Sequence, residues 1–352
     1  MKLLIITQKV DRNDPILGFF HRWLIEFSAV YSNVVVICLE RGQYSLPSNI
    51  SVYSLGKENG VSRVTYLKNF YQFIWKHRDE YDKVFVHMNP VYVILGGLFW
   101  RLWGKKISLW YTHRMADAKL WVALFLSNVI FTASTESFRI QSPKVRVMGH
   151  GIDTELFAPE TARSAMEQLE AKKPLTIISV GRISLAKNQK LLVDIARVLA
   201  AKTSDFVVQI VGGPVTPLDR EYDKELQVSI ATSGLSEHFC YFGAKSQSEL
   251  IPLLQESDVL INLSDTGSLD KVVLEAMAMG KIPVTCNEAF ESLLRPHGLF
   301  FEKTDIRGFA DLLSVLAAKT NANRQALGAG FRTYIMEHHD LGSLIRHIAA
   351  TL

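Results

Sequence analysis

Short apolar runs alternate with helix-length segments from one end of the chain to the other. In the first half, strand-like runs rich in β-branched residues fall at Lys2–Thr7, Asn33–Leu39, Ile50–Leu55, Lys83–Met88, Lys106–Thr112, Asn128–Ala133 and Lys144–Gly149. Segments near Phe19–Tyr31, Arg63–Arg78, Tyr92–Trp103 and Ala116–Leu126 have the length and pattern of helices. The series restarts near residue 175, with strands expected at Leu175–Val180, Phe206–Val211, Phe239–Phe242, Asp258–Leu263, Ile282–Cys286 and Leu299–Phe301. Helices are expected at Asn188–Ala201, Leu218–Ser233, Gln247–Glu256, Lys271–Met279, Ile306–Ala318 and Asn323–His338. Continuous apolar strands of this kind belong to parallel sheets covered on both faces. The expected fold class is α/β, with two doubly wound, Rossmann-like domains.

A stretch opening at Gly151-Ile152-Asp153-Thr154 and running through polar, Lys-bearing residues to Pro174 marks the join. The expected domains are 1–160 and 161–352, with the last helix free to pack back on the first. Two such domains leave a cleft where the carboxyl ends of both sheets can face one ligand. At 352 residues the chain is comfortable for two cores. A hydrophobic share of 48% with 21% charged residues excludes a disordered chain. The net charge of +4 suits an anionic ligand or a membrane surface and is too weak to argue for nucleic acid. Cys38, Cys240 and Cys286 are far apart, so neither metal spacing nor a disulfide framework is implied, and a reducing cytoplasm is expected. Polar residues follow Met1–Thr7 at once, which does not read as a signal peptide. The longest apolar stretches, Val91 to Trp100 and Leu120 to Leu126, are too short to cross a bilayer.

The chemistry concentrates between Ser264 and Gly280. There an apolar run crosses a polar turn containing Gly267 and enters a helix-like segment, Lys271 to Met279, whose one carboxylate is Glu275. Strand, turn and helix N-terminus together make an anion site, because unpaired N–H groups and the positive end of the macrodipole converge there. Glu275 has two readings: an i,i+4 pair with Lys271, or a carboxylate that accepts two sugar hydroxyls. Earlier, Gly181-Arg182 ends a strand and Lys187 precedes a helix. A guanidinium and an ammonium so spaced can grip a diphosphate; they can also be two solvated loop cations. The first strand leads into Gln8-Lys9-Val10-Asp11 with no Gly-x-Gly-x-x-Gly, which counts against a nicotinamide or flavin enzyme. Gly18 could let backbone approach a ligand or simply open a helix.

Gly181-Arg182 with Lys187, then Ser264 through Leu274-Glu275-Ala276-Met277-Ala278, resembles the retaining GT-B nucleotide-sugar glycosyltransferases of glycosyltransferase family 4. Gly149-His150-Gly151-Ile152-Asp153-Thr154, Phe157, Phe242-Gly243, Glu249-Leu250 and Asp258-Val259-Leu260 fit the same pattern. The likeness runs through most of the C-terminal half; in the N-terminal half it rests on Trp110-Tyr111-Thr112-His113-Arg114. It implies a GT-B fold and retaining, metal-independent transfer of a sugar from a nucleoside diphosphate sugar to a hydroxyl acceptor. The acceptor would be a cell-envelope glycan, a polysaccharide or a lipid-linked sugar. On this resemblance Arg182 and Lys187 hold the diphosphate and, with His113, form the catalytic group. Gly181, Gly267, Ser268, Leu269, Asp270 and Lys271 line the donor, Glu275 binds the ribose, and Gly18 and His113 face the acceptor. No cofactor beyond the donor is implied.

One departure stands out. The family's first glutamate would fall at 267, where this chain has glycine, and Asp270 replaces a glycine beside the expected phosphate. Asp270 could turn toward sugar hydroxyls with Lys271 offsetting its charge, or serve as a helix-start aspartate. A GT-B-like epimerase and a non-catalytic nucleotide-sugar-binding protein are the alternatives to a transferase. Finally, Tyr66, Phe70, Tyr71, Phe73 and Trp75 interleave with Arg63, Lys68, Lys76 and Arg78. That pattern fits either a packed helix with snorkelling cations or a helix resting on the inner face of an anionic membrane.

Overall fold

The computed structural model describes residues 1–14, 16–113, 115–159, 173–264, 267 and 269–352. Contacts divide them into two units, Met1–Gly151 with Asp340–Leu352, and Ile152–His339. The first unit holds the strands Lys2–Val10 (β1), Asn33–Arg41 (β2), Ile50–Ser54 (β3), Lys83–His87 (β4), Lys106–Trp110 (β5), Val129–Thr132 (β6) and Val145–Val147 (β7). They form one parallel sheet in the order β3-β2-β1-β4-β5-β6-β7. Because side chains alternate along a strand, Leu3 and Ile5 face one layer while Leu4 and Ile6 face the other. The first layer is the helix Phe20–Val30 with the terminal helix Leu341–Thr351, which buries Leu344, Ile345 and Ile348. The second comprises the helices Arg63–Lys76, Pro90–Leu102 and Ala118–Leu126.

The second unit holds Leu175–Val180 (β8), Phe206–Val211 (β9), Phe239–Gly243 (β10), Val259–Asn262 (β11) and Ile282–Thr285 (β12). These too are parallel, in the order β10-β9-β8-β11-β12. Both sheets therefore have the doubly wound order, and each reverses direction beside its first strand: β1/β4 in one, β8/β11 in the other. Ligands of such sheets bind outside the carboxyl ends of the strands at that reversal.

The expected strand at Leu299–Phe301 does not form. Phe300 makes one isolated bridge to Thr285, and two backbone bonds to the Thr285 peptide hold it. The polar residues from Glu302 then lead to Asp305, whose carboxylate caps the helix Ile306–Ala318. The expected boundary at 160/161 lies among the undescribed residues; just before them, Ile152 and Phe157 are buried in the second unit's core. Of the aromatic helix Arg63–Lys76, Phe70 is buried and Tyr66, Tyr71 and Phe73 pack against the core, leaving Trp75 exposed.

Two contacts anchor the helix Asn321–His338, whose Arg332 donates to the Ala278 carbonyl of the helix Lys271–Ala278. In one, the fully buried Arg324 guanidinium donates to Asp258 (2.8 Å) and to the Leu316 carbonyl (3.0 Å), tying the helix Asn321–His338 to the amino end of β11. In the other, Gly328 of that same helix lies so close to Gly280 that a Cβ would stand 1.7 Å from the Gly280 carbonyl oxygen. Two residues on, a Cβ at Gly330 would meet nothing within 4 Å. The same substitution should therefore have opposite signs. Gly328→Ala should lower unfolding free energy by about 1–3 kcal/mol through overpacking. Gly330→Ala should raise it by about 0.5–1 kcal/mol through helix propensity. Chemical denaturation of the two variants checks this; equal effects would contradict the close approach.

Candidate functional site

The candidate residues of the second unit lie at the carboxyl ends of β8 and β11, flanking the point where its strand order reverses. Backbone, not side chains, sets the frame there. Gly181 donates to the Val211 carbonyl (2.9 Å), Ile183 to Gly213 (3.1 Å) and Gly212 to Gly243 (2.8 Å), which extends the ladder past the strand ends. Gly212 has φ +149°, and a Cβ on it would stand 1.8 Å from the Gly181 oxygen. Only glycine fits there. The chain then turns through Leu185–Lys187 and a left-handed Asn188 (φ +53°) into the helix Gln189–Ala200.

Arg182 projects from this loop with its side chain about half exposed, its Nε 3.8 Å from the Asp219 carboxylate. Asp219 belongs to a capping box with Thr216 at the start of the helix Pro217–Thr232. Hydrogen bonds from Thr216, backbone first, hold the Asp219 carboxyl below its ordinary pKa, with Arg182 adding to the effect. Sequence reading did not find Asp219, although Thr216-Pro217 with Asp219 is a capping signature.

Lys187 is the centre of the cluster. Its Nζ donates to Asp270 Oδ1 at 2.7 Å and to the Ser264 hydroxyl at 3.4 Å. The other oxygen of Asp270 accepts from Asn262 Nδ2 at 2.8 Å. Asp270 occupies the N-cap position of the helix Lys271–Ala278 but makes no side-chain capping bond. It thus stands at the helix start, one of its two expected places, but its carboxylate reaches across to Lys187, and Lys271 pairs with Glu275 instead of offsetting it. Gly267 has φ +56°, a conformation that costs a non-glycine residue roughly 1–2 kcal/mol. Leu269 packs against the core, and Ser268 lies outside the described residues.

Lys271 and Glu275 face each other one helical turn apart, Nζ to Oε1 3.6 Å. The i,i+4 pair is thus formed, on a buried flank and not an exposed stripe. Burial pushes the Glu275 carboxyl above its ordinary pKa, against the pull of Lys271. Burial likewise lowers the Lys271 ammonium, against the pull of Glu275 and then Asp153.

In the first unit, His113 follows β5, exposed, with its ring edge-on to Tyr111 at 5.6 Å. Gly18 is required by its own loop, since a Cβ would stand 2.5 Å from the Asp14 carbonyl oxygen. Sequence reading also missed His87 at the end of β4. It is buried, hydrogen-bonded to Thr7 Oγ1 (3.2 Å) across the β1/β4 reversal and stacked on Phe20 at 4.0 Å. Met88 beside it has φ +64°, rare for a residue of its kind. Among the described residues no cluster of three or more His, Cys, Asp or Glu side chains is arranged to hold a metal ion. No helix among them is long and apolar enough to cross a membrane.

Residues 162–330 match the family described as "Glycosyl transferases group 1". A sulfoquinovosyl transferase of Arabidopsis thaliana is 26% identical over 204 residues, 57% of this chain and 36% of that protein. The chain thus spans little more than a third of this curated relative's length. Among solved structures, Anabaena HepE crystallised with UDP superposes with a TM-score of 0.76 at 17% identity, over 100% of this chain and 99% of that one. HepE has also been crystallised with UDP-glucose, a structure that matches at a TM-score of 0.71 and 16% identity, over 100% of this chain and 99% of that one. A glycosyltransferase from Rickettsia africae superposes at 0.74 with 14% identity, over 99% of this chain and 97% of that one. These similarities establish the GT-B fold.

The Lys271–Glu275 flank has a titration signature. With its pKa raised, Glu275 holds more proton in the folded than in the unfolded chain just above pH 4.5. Its contribution to stability therefore falls as pH rises through that window. The unfolding free energy of the parent relative to Glu275→Gln should decline between pH 4.5 and 7, read by urea denaturation. A difference independent of pH would mean that the carboxyl is not perturbed.

Proposed function

Since the chain is a GT-B-fold relative of the group 1 glycosyl transferases, we propose that it transfers a hexose-type unit from a nucleoside diphosphate sugar to a hydroxyl acceptor, with retention. A uridine diphosphate hexose is the donor favoured by the ligands of HepE. The observation that carries this reading is the convergence of Lys187, Ser264, Asp270 and a helix N-terminus at the β8/β11 reversal. The ammonium and the helix N–H groups have the chemistry to receive a diphosphate that takes or shares Lys187 with Asp270.

In the transfer, the bond from the sugar's anomeric carbon to the β-phosphate oxygen breaks, and the acceptor oxygen bonds to that carbon on the same face. The acceptor's proton leaves with the departing phosphate or to water. Negative charge grows on the leaving diphosphate. Arg182, Lys187 and the N–H groups at the start of Lys271–Ala278 are the groups of this chain that can offset it. Glu275 would accept the ribose hydroxyls, whose donation replaces water lost on burial. His113 would face the transferred sugar from the acceptor side. The acceptor class expected is an envelope glycan, a polysaccharide or a lipid-linked sugar.

A second reading, a non-catalytic nucleotide-sugar binder, is favoured by one observation: glycine, in a left-handed turn, stands at 267 where the resemblance expects a glutamate. Incubation with a panel of nucleoside diphosphate hexoses separates the two. Transferase chemistry gives slow release of the nucleoside diphosphate even without an acceptor; a binder gives saturable binding and no release. With the active donor, Arg182→Ala and Lys187→Ala should each lower kcat by about 10²–10³, with circular dichroism unchanged. Undiminished turnover at saturating donor would remove both from the mechanism.

A further inference from the structure

The helix layer Arg63–Lys76, Pro90–Leu102 and Ala118–Leu126 breaks the rule that a surface helix turns polar residues outward. Leu98 and Leu102 are 60% and 74% exposed, and Trp121, Val122 and Phe125 stand out from the next helix, Phe125 at 71%. Trp75 extends the same band. It packs edge-on to Trp103 at 5.3 Å and to Phe99 at 6.3 Å, which joins the first helix to the second. Arg101 joins the second to the third, donating to the Leu126 and Phe125 carbonyls (2.9 and 3.0 Å) with its guanidinium 5.8 Å from the Phe125 ring. The exposed apolar residues therefore share one layer of three joined helices, unlike the single scattered leucines of an ordinary exterior.

The charge on this layer has one sign. None of the three helices contains an aspartate or glutamate, while they carry Arg63, Lys68, Lys76, Arg101 and Lys119. More cations border the aromatic rings: Arg78 lies 5.8 Å from the Trp75 ring, and Lys144 donates to the Leu124, Phe125 and Ser127 carbonyls. The carboxylates next to these helices in sequence sit beyond their ends: Asp79 beside Arg78, Glu80 on His77, and Asp117 capping its own helix. Exposed Trp, Phe and Leu set among lysines and arginines suit the boundary between headgroups and acyl chains. There apolar side chains enter the hydrocarbon edge and cations meet lipid phosphates.

From this surface we infer that the layer docks the protein on an anionic phospholipid bilayer, with Trp75, Leu98, Leu102, Trp121, Val122 and Phe125 entering the interface. A second copy of the chain is the weaker occupant, since two carboxylate-free cationic faces would repel each other. The inference is independent of the donor site, which lies in the other unit. It places the first unit where an acceptor carried by a lipid would be within reach.

Co-sedimentation of the whole chain with vesicles tests it. Binding is expected to vesicles of phosphatidylcholine with about one-third phosphatidylglycerol, to weaken with added salt, and to be much lower on pure phosphatidylcholine. Leu102→Glu and Phe125→Glu should each reduce binding at least tenfold while leaving UDP affinity unchanged. Brominated phosphatidylglycerol, which needs no substitution, should quench tryptophan fluorescence of the parent. Absence of binding to anionic vesicles, equal binding of the glutamate variants, or absence of quenching would overturn the proposal. So would a dimer, formed without lipid, that the same variants dissolve.

Discussion

The ion pair between Lys187 and Asp270 joins the two loops on which the candidate site is built. One loop leaves β8, the other leads from β11 into the helix Lys271–Ala278, and the pair spans the reversal between them at 2.7 Å. Both side chains are largely covered, and Asn262 and Ser264 supply further bonds. A charge so placed is costly to leave alone, so each partner fixes the other. The consequence for ligand binding is direct. An anion entering this place must take the ammonium from Asp270 or share it.

The frame beneath the pair is made by glycine. Gly212 lets the loop after β9 touch the Gly181 carbonyl, and Gly328 lets a neighbouring helix touch the Gly280 carbonyl. Gly267 takes a left-handed turn before the helix. The missing glutamate at 267 thus has a local accompaniment: the backbone there is in the conformation least suited to it. Where resemblance leads one to expect a second acidic side chain, this chain has a turn.

Much of the fold was legible because parallel strands buried on both faces leave an unmistakable apolar run. The succession of elements along the chain follows from that pattern; the strand order and its reversal points come only from pairing between distant strands. The helix Leu341–Thr351 went unread although its signals are present: Asp340 caps it, and Leu341, Leu344, Ile345, Ile348 and Ala349 recur at helical spacing. The break after His338 masked it. Of the site, Gly181, Arg182, Lys187 and Glu275 could be named from local context and resemblance. Of their partners, Lys271 could be read one helical turn from Glu275, and the distant ones could not. Lys187 and Asp270 are 83 positions apart, and Thr7 and His87 are 80. Nothing local announces either contact. The aromatic helix shows the same limit in reverse, since four of its five rings turn inward and the exposed surface emerges only when three helices lie side by side.

Whether Asp270 competes with the donor for Lys187 is the question on which the account turns, and UDP affinity answers it. Titration calorimetry on the parent and on Asp270→Asn, which keeps an acceptor for Asn262, isolates the charge. UDP should bind the variant about fivefold more tightly, the worth of one modest ion pair no longer opened on binding. Unchanged or weaker binding would contradict the assignment of Lys187 to the diphosphate.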